Sequence, residues 1–114
     1  AKSLAIGNPA SGPYSLQTLA ETGGTAVAAP EEEVVDGIRL LAETEGIFTE
    51  PAGGVVISAL KKLVQTGKIK ADELTVAYVT GNGLKTPDVT EHLVNPIETS
   101  PDYASFQTAF AKRT

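Results

Sequence analysis

Residues 74–80 read LTVAYVT. The segment is rich in β-branched residues and apolar nearly throughout, which predicts a strand. A strand without polar alternation is buried on both faces, and such strands belong to parallel sheets covered by helices. Upstream, TAVAA at 25–29 is short and β-leaning and predicts a second strand. Between the two lie two helical stretches. Pro30 opens the first, with Glu31, Glu32 and Glu33 complementing the positive end of the helix dipole. Val34, Ile38, Leu41 and Ala42 form its apolar stripe, widened by Val35 and Leu40, and Gly46 stops it. Thr49-Glu50-Pro51 repeats the start signal, a hydroxyl cap followed by proline. The helix that follows carries Val55, Val56, Ala59, Leu60 and Leu63 and closes at Gly67.

An earlier helix is predicted in YSLQTLAET, from Leu16, Leu19 and Ala20, ended by Gly23-Gly24. The tail holds Pro96 and Pro101 and one short helix around Tyr103–Ala111. The order is helix, strand, helix, helix, strand, tail. It predicts an α/β fold with an open parallel sheet flanked by helices in three layers. Two strands cannot make such a sheet stable. The 114 residues therefore read as a single domain or a domain fragment, with an α/β region at 1–88 and a C-terminal tail at 89–114.

Composition narrows the function. Hydrophobic residues are 41% and charged residues 20%, a globular balance. The net charge of -5 argues against a nucleic-acid partner, because phosphate binding needs a basic surface. No apolar run approaches a membrane span. Cysteine is absent, which removes disulfides and thiolate chemistry, and the single histidine argues against a conventional zinc set and gives no ground for a Ser/His/Asp triad. Methionine is also absent, so Ala1 reads as a processed start or a cut within a longer chain. No signal peptide is recognisable, and the composition is cytoplasmic in character.

Two loops can carry chemistry. Thr80-Gly81-Asn82-Gly83 directly follows the predicted buried strand, where ligands of open α/β sheets bind. Its glycines admit close approach and Thr80 offers a hydroxyl; the same residues also suit an ordinary Asn-Gly turn. Glu50-Pro51-Ala52-Gly53-Gly54 places small residues at a helix start. Glu50 would repel a phosphate there, so it is either a carboxylate accepting hydrogen bonds in a cleft or part of a cap above a tightly packed helix. Lys61, Lys62, Lys68 and Lys70 read as a solvated helix end or a phosphate patch. His92 has no evident partner.

Three segments taken together go further. AKSLAIGNPASGP (1–13), IRLLAETEGIFTEPAGG (38–54) and VTGNGLKTPD (79–88) resemble, in that order, the closing part of the threonine synthases. These are pyridoxal-phosphate enzymes of the fold-type II, tryptophan-synthase-β-like group. The resemblance covers about residues 1–88 and implies the C-terminal portion of the fold-type II large domain. It also implies an activity on a small molecule, conversion of O-phospho-L-homoserine and water into L-threonine and phosphate. A homo-oligomer is expected separately, because LTVAYVT is apolar on both faces and an exposed sheet edge is a template for pairing.

The same resemblance implies cofactor contacts. Thr80 falls where the family places a Ser or Thr hydroxyl on the pyridine nitrogen, which tunes the cofactor's electronics. Gly81 and Asn82 shape the loop beside the ring. Ala5, Ile6 and Gly7 match the segment that passes close to cofactor and substrate, and Glu50 matches the acid of the family's EPxGG-like motif. Two family features are missing from these residues. One is the Ser-Phe-Lys-Asp-like motif with the Schiff-base lysine, and the other is the Gly-rich phosphate loop. None of the seven lysines stands in such a context. The segment by itself is thus expected to be inactive and to supply no catalytic residue. The rivals are a threonine or serine dehydratase of the same fold type, and a non-catalytic module binding a small ligand or a partner chain.

Overall fold

The structure, a computed structural model, describes residues 1–94 and 97–111. Pro96 and Lys112 lie outside the described residues. Helix α1 spans Gly12–Thr22, α2 spans Glu31–Glu45, α3 spans Pro51–Gln65 and α4 spans Tyr103–Ala111. Short 3-10 turns occupy Lys2–Leu4, Gly83–Lys85, Pro87–Val89 and Glu91–Leu93.

The helix boundaries follow from the punctuation of the sequence. Pro30 is the N-cap of α2, and Glu31, Glu32 and Glu33 fill its first turn. Gly23 and Gly46 cap α1 and α2 in the left-handed region, at φ 65 and 68, where a side chain would be strained. Pro51 begins α3 with Glu50 as its N-cap. Asp102 precedes α4, and its Oδ1 accepts a hydrogen bond from the Ser105 N–H at 2.9 Å. The backbone and side-chain donors of Ser105 hold the Asp102 carboxyl below the ordinary aspartate range.

The core is the seam between α2 and α3. Val34, Ile38, Leu41 and Ile57 are its buried apolar side chains. On α2 the expected stripe is right at Val34, Ile38 and Leu41, while Ala42 and Leu40 stay exposed. On α3 the buried face is Gly53, Gly54, Ile57 and Ser58, and the expected Val55, Val56, Ala59, Leu60 and Leu63 are only half-buried. Small residues decide this. A Cβ on Gly37 would press on the Gly54 carbonyl and the Ser58 hydroxyl, and one on Gly54 would press on the Val34 carbonyl. The two backbones meet where neither residue has a side chain, and the Ser58 hydroxyl donates to the Glu33 carbonyl at 2.6 Å across the seam. Gly54→Val would force the helices apart and should destabilise the fold by about 1–3 kcal/mol. Thermal unfolding of the variant against the parent protein checks this.

The expected parallel sheet is not formed among the described residues. They contain no strand, only one isolated antiparallel bridge between Thr49 and Asn82. Residues 25–29 and 74–80 run without regular ladder partners. Leu74, Val76 and Tyr78 are 97%, 70% and 78% exposed, the reverse of the burial that their composition predicts. The physical reason is that a ladder needs a neighbour on the hydrogen-bonding edge, and these two segments are not brought side by side. The α1 helix likewise buries nothing, with Tyr14 and Leu16 facing solvent.

The shape agrees. The radius of gyration is 18.7 Å, against about 13 Å for a compact domain near 100 residues. The accessible surface is 8863 Å², against about 5,900 Å² for a compact protein of 11.8 kDa. No helix among the described residues is long and apolar enough to cross a membrane.

Candidate active site

Two loops meet at the start of α3. The chain turns from Phe48 through Thr49 and Glu50 into the helix, and residues 81–83 run antiparallel beside it. The Glu50 N–H donates to the Gly81 carbonyl at 3.1 Å, and the Gly83 N–H donates to the Phe48 carbonyl at 3.1 Å. The Thr49 hydroxyl donates to the same Gly81 carbonyl at 3.0 Å. Thr49 is 1% exposed. Its hydroxyl therefore ties two loops together and does not cap α3, contrary to the reading of Thr49-Glu50-Pro51 as a hydroxyl cap.

Glycine is required at both crossing points. A Cβ on Gly81 would coincide with the Glu50 carboxylate, and a Cβ on Gly83 would enter the Phe48 ring at 2.5 Å. The Asn82 Oδ1 accepts the Leu84 N–H at 2.8 Å and so caps the turn Gly83–Lys85. That turn returns Lys85 to the Glu50 side chain, with Nζ and Oε2 3.4 Å apart.

The structure thus joins Glu50, Gly81 and Asn82 directly. Thr80 adjoins them on the chain and is exposed. Ala5, Ile6 and Gly7 are exposed too, just after the turn Lys2–Leu4. The start of the chain approaches the Glu50 loop through Ala1 and Ser3. These line a cavity of about 230 Å³ with Glu50, Pro51, Thr86 and Val89. Ala5, Ile6 and Gly7 lie outside that lining. Lys61 and Lys62 border a separate cleft shared with Glu33 and Asp36, so acids offset the cations there. His92 is exposed in the turn Glu91–Leu93. Among the described residues, no group of three or more His, Cys, Asp or Glu side chains could hold a metal ion.

Sequence reasoning missed Lys85 and Thr49 as members of this cluster. The signal for Lys85 is its place three residues after a capping Asn, which a single turn folds back toward the asparagine's own neighbours. The signal for Thr49 is weaker, since a hydroxyl before Glu-Pro reads equally well as a cap.

Comparison with known proteins follows the same two loops. The family model for pyridoxal-phosphate dependent enzymes matches residues 1–81, a span that includes both Glu50 and Thr80. The chain belongs to this family. Membership brings the fold-type II α/β class and dependence on pyridoxal phosphate. The chain is 47% identical over 88 residues to the threonine synthase of Methanocaldococcus jannaschii, covering 77% of this chain and 22% of that protein. It is 43% identical over 89 residues to the threonine synthase of a Bacillus species, covering 78% of this chain and 25% of that protein. A third threonine synthase, from Halalkalibacterium halodurans, is 38% identical over 108 residues, or 93% of this chain and 30% of that protein. The likeness to threonine synthases therefore extends beyond Asp88 into the C-terminal tail, past the resemblance read from sequence over about residues 1–88. The chain spans about a quarter of the length of these relatives.

Proposed function

We propose that these residues form one wall of the active site of a threonine synthase that turns O-phospho-L-homoserine and water into L-threonine and phosphate. The observation that carries this reading is the junction of the two loops that hold Glu50 and Thr80. Segments 32 residues apart at Thr49 and Gly81 are locked by shared hydrogen bonds in a chain that is 47% identical to a threonine synthase.

The residues suit a pyridoxal ring. Thr80 ends a segment without regular secondary structure and is exposed, and its hydroxyl can donate to an unprotonated ring nitrogen. Gly81 and Asn82 follow along the Glu50 loop before the chain turns at Gly83–Lys85. The cofactor, when bound, supplies an electron sink for the substrate's amino-bearing carbon. The part assigned to Thr80 is to hold the ring nitrogen without a full positive charge, which moderates that sink. Gly81 and Asn82 shape the loop beside the ring, and Ala5, Ile6 and Gly7 border the cofactor and substrate. The covalent lysine and the phosphate loop are assigned to the length of the relatives that this chain does not span. There too are the strands that would pair with residues 25–29 and 74–80 in a parallel three-layer sheet. On this reading 1–114 is a portion of the large domain, and the assembled protein is a homo-oligomer.

The test is activity on defined substrates. The protein carrying this segment, loaded with pyridoxal phosphate, is expected to release phosphate and threonine from O-phosphohomoserine in equal amounts. Turnover of threonine or serine to an oxo acid, with none of O-phosphohomoserine, would make it a dehydratase. The 114 residues alone are expected to form no threonine, because covalent catalysis needs a positioned amine. Borohydride reduction with pyridoxal phosphate should then label no single lysine stoichiometrically.

A further inference from the structure

We infer that Lys85 is a positioning residue for the cofactor-facing loop, acting through Glu50 on Gly81 and so on the direction of Thr80. The inference rests on the function proposed above. Glu50 spends its polar groups inside the protein. Its N–H donates to the Gly81 carbonyl at 3.1 Å, and its carboxylate fills the space that a side chain at 81 would need. The side chain is 17% exposed, so most of its surface has left water, whereas that of Lys85 is 63% exposed. A carboxylate withdrawn to that extent needs a compensating charge. Lys85 provides it at 3.4 Å.

The path from one to the other is a closed ring of short contacts. Glu50 holds Gly81, Asn82 follows, and the Asn82 side chain caps the turn through the Leu84 N–H at 2.8 Å. The Lys85 N–H donates to the Asn82 carbonyl at 3.2 Å, and the Lys85 ammonium closes on Glu50. Thr80 lies one bond outside this ring. Removing the ammonium frees the carboxylate to swing toward water and takes its packing against Gly81 away, while the Glu50 N–H and the Thr49 hydroxyl keep the Gly81 carbonyl. Glu50 therefore acts on the cofactor through the backbone of Gly81.

The experiment titrates pyridoxal phosphate into the protein that carries this segment, stripped of cofactor, following its absorption band and fluorescence. Lys85→Ala is expected to weaken binding about fivefold, at the strong end for a pair with one exposed partner, and to shift the band. Lys85→Arg should bind within about twofold of the parent, since it keeps the cation. Lys85→Ala combined with Glu50→Gln should be no worse than Glu50→Gln alone, because both remove one interaction. Melting temperature identifies any variant that fails to fold. Parental affinity and spectrum in Lys85→Ala would overturn the inference, as would an equal loss in Lys85→Arg. If Thr80→Val still weakens binding in the same titration, only the role of Lys85 has failed. If Thr80→Val also binds as the parent does, the cofactor-wall reading fails as well.

Discussion

Thr80→Val, in the protein that carries this segment, should lower cofactor affinity or turnover by about 5- to 150-fold while leaving the fold intact. The substitution keeps the branched shape and removes only the hydroxyl. A ring nitrogen held in a closed site without its partner costs about 1–3 kcal/mol. Each 1.4 kcal/mol is about tenfold in a dissociation constant. Thr80 is exposed and is not one of the buried residues of the seam between α2 and α3, so melting temperature should scarcely move. Thr80→Ser keeps the hydroxyl and should recover most of the loss. Unchanged binding and kinetics in Thr80→Val would reduce Thr80 to an exposed residue beside the Gly81 loop.

The second large effect is association. The 114 residues by themselves should form dimers or larger species, because they leave unusual amounts of apolar surface open. Leu74, Val76 and Tyr78 lie in a segment without regular secondary structure, and all three are at least 70% exposed. That segment also presents unpaired backbone groups, a template for pairing with another chain. Covering apolar surface favours association by about 25 cal/mol per Å². The net charge of -5 opposes it weakly, since exposed charges are screened over about 8 Å in physiological salt. Sedimentation over a wide concentration range is the check. Val76→Lys with Tyr78→Lys should shift the population toward monomer. A monomer at every concentration, unfolding cooperatively and binding no apolar-surface dye, would mean that the segment is self-sufficient.

The helices were legible because their ends are written in residues with few alternatives. Pro30, Gly46 and Pro51 restrict the backbone itself, so the boundaries of α2 and α3 needed no tertiary information. The buried face of α3 was not legible in the same way. Val55 and Val56 have the composition of a core, but Gly53 and Gly54 set which side can approach α2 closely. Such an approach depends on a glycine in the other helix, Gly37, well upstream in sequence. The predicted sheet failed to appear for a different reason. LTVAYVT carries the composition of a doubly covered strand, yet composition does not supply the neighbours, and these residues do not pair it with TAVAA.

At the site, the glycines of TGNG were visible from sequence as points of close approach. What fills the space beside each one was not visible, since the Glu50 carboxylate and the Phe48 ring arrive from about 30 residues away. Lys85 lay in a quoted motif, but its pairing depends on the turn that Asn82 caps. Glu50 and Thr80 stood out from the residues themselves, and the resemblance gave them their cofactor roles. Bottom-up reading alone left each loop open between a ligand site and an ordinary turn or cap.

The most direct measurement of the central claim is the distance from the Thr80 Oγ1 to the pyridine nitrogen in a crystal structure of the cofactor-loaded protein. The account predicts a hydrogen bond of about 2.6–3.2 Å, with Gly81 and Asn82 bordering the ring. A ring nitrogen bonded to a carboxylate or to another hydroxyl, with Thr80 facing away, would contradict it.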